Sequence, residues 1–105
     1  MTRWGLLLAG AAALAAGAAQ ADAIDGAWCS ADGRRLSIQG SNIVTPGGTA
    51  MVGRYGRHDF SYDTPASEPQ GGAPVMMLLQ SETRMQRRVG DGAQEEWRRC
   101  PPGIS

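Results

Sequence analysis

Cysteine is the side chain in this sequence best suited to covalent chemistry, and there are two. Cys29 lies in Gly26-Ala27-Trp28-Cys29-Ser30 and Cys100 in Glu96-Trp97-Arg98-Arg99-Cys100. A redox or nucleophilic thiol needs a Cys-x-x-Cys neighbour or an adjacent base. Neither cysteine has one in sequence, and the one histidine, His58, would have to approach through space. A structural disulfide between Cys29 and Cys100 is therefore expected.

The other reactive types form no catalytic set. His58, in Arg57-His58-Asp59-Phe60, has no partner nucleophile in view and is expected to fill a barrel end beside Phe60 and Tyr62. Met51, Met76, Met77 and Met85 with His58 suggest a soft Cu(I) site, but methionine also fills irregular cores, and three of the four fall on an inward face. Asp63, Glu68, Asp91, Glu95 and Glu96 lack the spacing of a calcium loop. No enzyme activity, metal or cofactor is expected.

The elements that position these residues begin after an export leader. Met1-Thr2-Arg3 supplies positive charge, Gly5 to Ala19 is a run of Gly, Ala and Leu, and Ala19-Gln20-Ala21 is a small-x-small cleavage site. That order is a signal peptide spanning 1–21, with cleavage after Ala23 as the alternative. The apolar run is too short to span a membrane, which takes about 20 residues. Residues 22–105 then form one domain, exported to the periplasm or beyond. Ten arginines and no lysine balance ten acids over the whole chain, so nucleic acid is not an expected partner. A domain this small buries only about 60% of its unfolded surface and needs a staple.

Short alternating runs cut by Gly, Pro, Asp and Asn predict an all-β meander. Closed into an up-and-down barrel of about eight strands it has no edges; a two-sheet sandwich is the alternative. The turns are checked by the residues they pair. A loop at Ala31–Gly33 sets Trp28 opposite Leu36 and Gly26 opposite Ile38; Gly40-Ser41, as a type II′ turn, sets Ile38 opposite Ile43. Turns at 46–48, 81–83 and 90–92 pair Ile43 with Met51, Leu79 with Met85, and Met85 with Trp97. The inward set is Trp28, Leu36, Ile38, Ile43, Met51, Tyr55, Phe60, Tyr62, Val75, Met77, Leu79, Met85, Val89 and Trp97. A slip of one residue would turn each pair to solvent. Cys29 and Cys100 then face outward on neighbouring first and last strands.

Three surface features remain. Val75-Met76-Met77-Leu78-Leu79 is apolar on both faces, leaving Met76 and Leu78 exposed as a partner surface unless the long 63–74 loop covers them. That loop either presents Glu68 to a basic partner or is disordered. Arg84, Arg88 and Arg98, with Arg34 and Arg35, project outward and either hold an anion or acidic surface or simply solvate the face.

Gly26-Ala27-Trp28 on the first strand, with an arginine on the last, resembles the lipocalin and wider calycin pattern. The resemblance implies that Trp28 packs beneath Arg99, which shares the inward face with Trp97. The chain is about half a lipocalin's length and lacks its loop-and-helix return. Its size, leader and terminal cysteines are similar also to small periplasmic barrels that inhibit lysozyme, and to small exported proteins of Gram-negative bacteria. The expected function is a non-catalytic binding or inhibitor-type module acting through its surface on an envelope partner. The alternative is a lipocalin-like binder of a small apolar ligand, with its mouth at His58 and Tyr62.

Overall fold

A computed structural model describes residues 23–102, so the expected leader lies outside the described residues. The described chain is all β: β1 (Gly26–Ser30), β2 (Arg35–Gln39), β3 (Asn42–Val44), β4 (Ala50–Val52), β5 (Arg54–Gly56), β6 (Asp59–Asp63), β7 (Pro74–Ser81), β8 (Arg84–Val89) and β9 (Glu95–Arg99). They form one antiparallel sheet in the order β4-β3-β2-β1-β9-β8-β7-β6-β5. Every hairpin register expected from the turns is present: Trp28 faces Leu36, Ile38 faces Ile43, Ile43 faces Met51, Leu79 faces Met85, and Met85 faces Trp97. Gly40 has φ +58° while Ser41 does not enter positive φ, as a type II′ turn requires.

The two outermost strands of the sheet are consecutive in the chain. Only Gly53 separates β4, which pairs with β3, from β5, which pairs with β6. Residues 50–56 are thus one strand that changes partner at a corner, so eight strands curl into a nearly closed barrel. The corner needs glycine because of what approaches it. A Cβ on Gly53 would lie 2.4 Å from Phe60 Cε1 and 2.8 Å from the Ser61 carbonyl oxygen. At the same residue the Gly53 amide turns to donate to the Ser41 carbonyl at 2.8 Å.

The interior is filled. Trp28, Phe60, Met77, Met85 and Trp97 have no accessible surface, with Leu36, Ile43, Tyr62 and Val75 nearly as covered. Large-to-small changes at such positions typically cost about 2–5 kcal/mol. Four expected core residues differ. Met51, Leu79 and Val89 are half-buried and pack against the core from its margins. Tyr55, opposite the buried Phe60, is exposed at the barrel rim, where its hydroxyl donates to the Asp25 carboxylate. Five buried residues lie outside the expected set: Ala23, Ile24, Thr45, Thr64 and Arg87. Ile24, ahead of β1, is wholly buried, and Arg87 on β8 is only 5% exposed.

Candidate functional site

The clasp forms where β1 and β9 pair. Cys29 lies opposite Arg98 on the outer face, and the Cys100 amide donates to the Ala27 carbonyl at 3.0 Å. Cys29 and Cys100 are disulfide-bonded with Cα atoms 5.0 Å apart, leaving no free cysteine in the chain. Such a bond fits an oxidising compartment.

On the inner side of the same junction, the Arg99 guanidinium lies 4.1 Å from the Trp28 ring centroid. Its Nε donates to the Glu82 carbonyl at 2.8 Å, Nη2 to the Ala23 carbonyl at 2.7 Å, and Nη1 to the Asp25 carbonyl. Trp28 Nε1 donates to the Ile24 carbonyl at 2.8 Å, and the Ile24 amide to the Arg57 carbonyl at 2.7 Å. Residues 23–25 therefore plug this end of the barrel, with Ile24 as the stopper. Asp25 completes the seal by accepting from Tyr55 and from the Gly40 amide at 2.8 Å. Burial pushes the Asp25 carboxyl up, but Tyr55, the Gly40 amide and Arg99 together hold it below its ordinary value.

The opposite end is closed by the long loop. The Thr64 amide donates to the Ala73 carbonyl at 2.9 Å and the Gly72 amide returns to Thr64 at 2.8 Å, so the loop is an ordered turn. Glu68 is not presented to solvent for a partner: it accepts from Thr45 Oγ1 at 2.6 Å and Thr49 Oγ1, tying the loop to the β3–β4 turn. Burial raises the Glu68 carboxyl, and the two threonines, the Gly47 amide and Arg87 outweigh it and hold it low. Inside this end, Arg87 Nη2 donates to the Tyr62 hydroxyl at 2.9 Å, Nη1 sits 3.6 Å from Glu95 Oε1, and the guanidinium lies 5.3 Å from the Trp97 centroid. Arg34, expected outward with Arg35, instead reaches this end, 5.2 Å from the same ring and 2.8 Å from Glu95 Oε2. Burial raises the Glu95 carboxyl, but Arg34, Trp97 and Arg87 keep it below its usual range. Arg87 Nε has no hydrogen-bond partner. An orphaned buried donor costs about 1–3 kcal/mol, more when charged.

His58 and Tyr62 do not form one mouth. Arg57 takes φ +36°, which breaks the alternation, so His58 stands exposed in the β5–β6 turn at the plugged end. Tyr62 is buried at the other end, with Phe60 between them. The four methionines are not gathered either: Met77 and Met85 are core, Met51 marginal and Met76 exposed. Among the described residues, no cluster of three or more His, Cys, Asp or Glu is placed to hold a metal.

Because the long loop caps the barrel end, it leaves the outer face of β7 bare. Met76 is 53% and Leu78 49% exposed. Met76 lies between Ser61 of β6 and Arg88 of β8, and Leu78 between Asp59 and Gln86. Arg54 stands beyond Ser61, donating to its hydroxyl at 2.8 Å. Arg84 and Arg98 lie farther along the face, both reaching Glu96. A separate depression of about 790 Å³, rimmed by the exposed Val44 and Val52, lies over β1–β4.

Asp25, Glu68 and Glu95 share one consequence. Each folded-state pKa lies below its ordinary value, so their stabilisation is complete above about pH 4 and is lost as pH falls through the lower folded-state values. Calorimetry is expected to show a steady melting temperature between about pH 7 and 5 and a decline below about pH 4. A melting temperature unchanged down to about pH 2.5 would mean that these carboxylates do not hold the barrel ends.

No protein-family model matches the chain, and neither does any curated protein or solved structure.

Proposed function

We propose that the chain is an exported, non-catalytic binding module, of the inhibitor kind, which engages an envelope partner through the outer face of β6–β8. The observation that carries this reading is the exposure of the apolar Met76 and Leu78 on the outer face of a strand whose inward Val75 and Met77 are buried. Two exposed apolar residues framed by charge are a common centre for a protein contact. Arg88 and Arg54 at its margins favour a partner that offers an apolar insert with acidic groups around it. Export is supported by the disulfide. A lipocalin-like kinship is supported by the barrel and by Trp28 stacked under Arg99. The filled interior favours a surface site over a small apolar ligand held along the barrel axis.

The test compares the mature wild type with a Met76→Ser, Leu78→Ser variant as baits in envelope extract. Both substitutions are at exposed sites, so the melting temperature is expected to stay within a few degrees of wild type. Recovery of the wild-type partner is expected to fall about tenfold or more. Equal recovery by both baits, or no partner for the wild type, contradicts the reading.

A further inference from the structure

The methionines among the described residues differ sharply in their surroundings. Met77 and Met85 have no accessible surface, Met51 is half-buried, and Met76 is 53% exposed on the outer face of β7. A thioether in water is open to two-electron oxidants, and one in a packed core is shielded from them. The neighbours of Met76 also suit the oxidised form. Arg88, opposite it on β8, is exposed, and among the described residues no ion pair or hydrogen bond engages its guanidinium. Ser61, opposite it on β6, accepts from Arg54 Nε at 2.8 Å and keeps its own hydroxyl proton to donate. Residues facing each other across an antiparallel pair have Cβ atoms about 4.5–5.5 Å apart, so both donors lie within reach of an oxygen on the Met76 sulfur. Given the reading of this face as the partner surface, we infer that Met76 is a site of reversible oxidation by peroxides, whose sulfoxide switches docking off.

The step balances with a peroxide as the oxidant. The Met76 sulfur attacks one peroxide oxygen, the S–O bond forms as the O–O bond breaks, and the departing hydroxide takes the remaining proton and leaves as water. Sulfur loses two electrons and the peroxide gains them. A dithiol reductase reverses the change, its thiols becoming a disulfide while the oxygen leaves as water. The sulfoxide is polar where the docking face was apolar. An apolar insert seated beside Leu78 then has to strip water, Arg88 and Ser61 from the new oxygen, which opposes binding. The fold is not disturbed, because the oxygen projects outward and the core methionines stay covered. The oxidising compartment that the disulfide fits is where a thioether meets such oxidants.

The experiment treats the mature, disulfide-bonded wild type and a Met76→Leu variant with hydrogen peroxide, removes the peroxide, and uses both as baits in envelope extract. Peptide mass spectrometry is expected to find sulfoxide forming at Met76 at least about tenfold faster than at Met77 or Met85. The melting temperature of the oxidised wild type is expected to stay within a few degrees of the untreated protein. Partner recovery is expected to fall about tenfold for the oxidised wild type. It is expected to hold for peroxide-treated Met76→Leu, which keeps the volume and the apolar face without a thioether. While untreated wild type captures its partner, three results overturn the switch: oxidation no faster at Met76 than at Met77 and Met85, equal recovery before and after oxidation, or equal loss from the Met76→Leu bait. Untreated wild type that captures nothing overturns the reading of the face itself, and the switch with it.

Discussion

Replacing both cysteines, Cys29→Ser with Cys100→Ser, is expected to lower the melting temperature by about 15–30 °C. The bond joins residues 71 apart in sequence. In the chain-entropy account, closing a loop of that length removes about 4 kcal/mol of denatured-state freedom. For a domain of this size each kcal/mol corresponds to about 4–8 °C. The effect is large relative to a total stability of about 5–15 kcal/mol for natural domains. Because both sulfurs lie on the outer face, serine introduces no buried polar group, and the loss arises from the cross-link itself. A thermal melt of the double variant against wild type, and against wild type with reductant, measures it. A change of only a few degrees would show that the β1–β9 pairing holds without its clasp.

The second large effect is expected at Arg99. Its guanidinium joins the last strand to three carbonyls, of Ala23, Asp25 and Glu82, and covers the face of Trp28. Arg99→Ala removes all of these at once and uncovers Trp28. Hydrogen bonds to a charged group contribute about 1.5–3 kcal/mol each when buried, and less where water can replace them. A net loss of about 3 kcal/mol is therefore expected, measured by denaturant unfolding monitored through tryptophan fluorescence. Arg99→Lys keeps the charge but loses the fork, and is expected to recover less than half of the loss. Hydrogen exchange separates this from general damage, since the Ile24 amide, bonded to Arg57, is expected to lose protection first. An Ile24 amide that remains as protected as the β8 amides would mean that Arg99 does not hold the plug.

The hairpin registers were legible in the sequence because loop length and period-two alternation constrain each other: the loop at 31–33 and the pair Trp28–Leu36 allow one register only. The adjacency of β1 and β9, and with it the clasp, followed from closing the meander. What alternation could not carry was its own interruption. At Arg57 a positive φ turns His58 to solvent, and Tyr55, though opposite the buried Phe60, lies at the barrel rim, where its hydroxyl meets Asp25 instead of entering the core. Arg87 was within reach, because alternation through Met85 and Val89 also points it inward. The general preference of arginine for the surface masked that signal. Glu68 and Ile24 were out of reach for another reason. Their positions depend on contacts with Thr45, Thr49 and Arg57, far away in sequence, and no local pattern encodes them.

The same contacts explain why the outer face of β7 remains open. The loop that was long enough to cover Met76 and Leu78 is anchored through Glu68 to the barrel end. Both barrel ends and the disulfide are then accounted for by stability, while Met76 and Leu78 are not. The most direct test places a photo-crosslinking amino acid at position 76, 78, 44 or 52 in cells exporting the protein. Val44 and Val52 serve as controls because they are exposed apolar residues on another part of the sheet. A discrete heavier species from positions 76 and 78, and none from 44 and 52, is the expected result. No adduct from 76 and 78, or adducts only from 44 and 52, would contradict the assignment of function to this face.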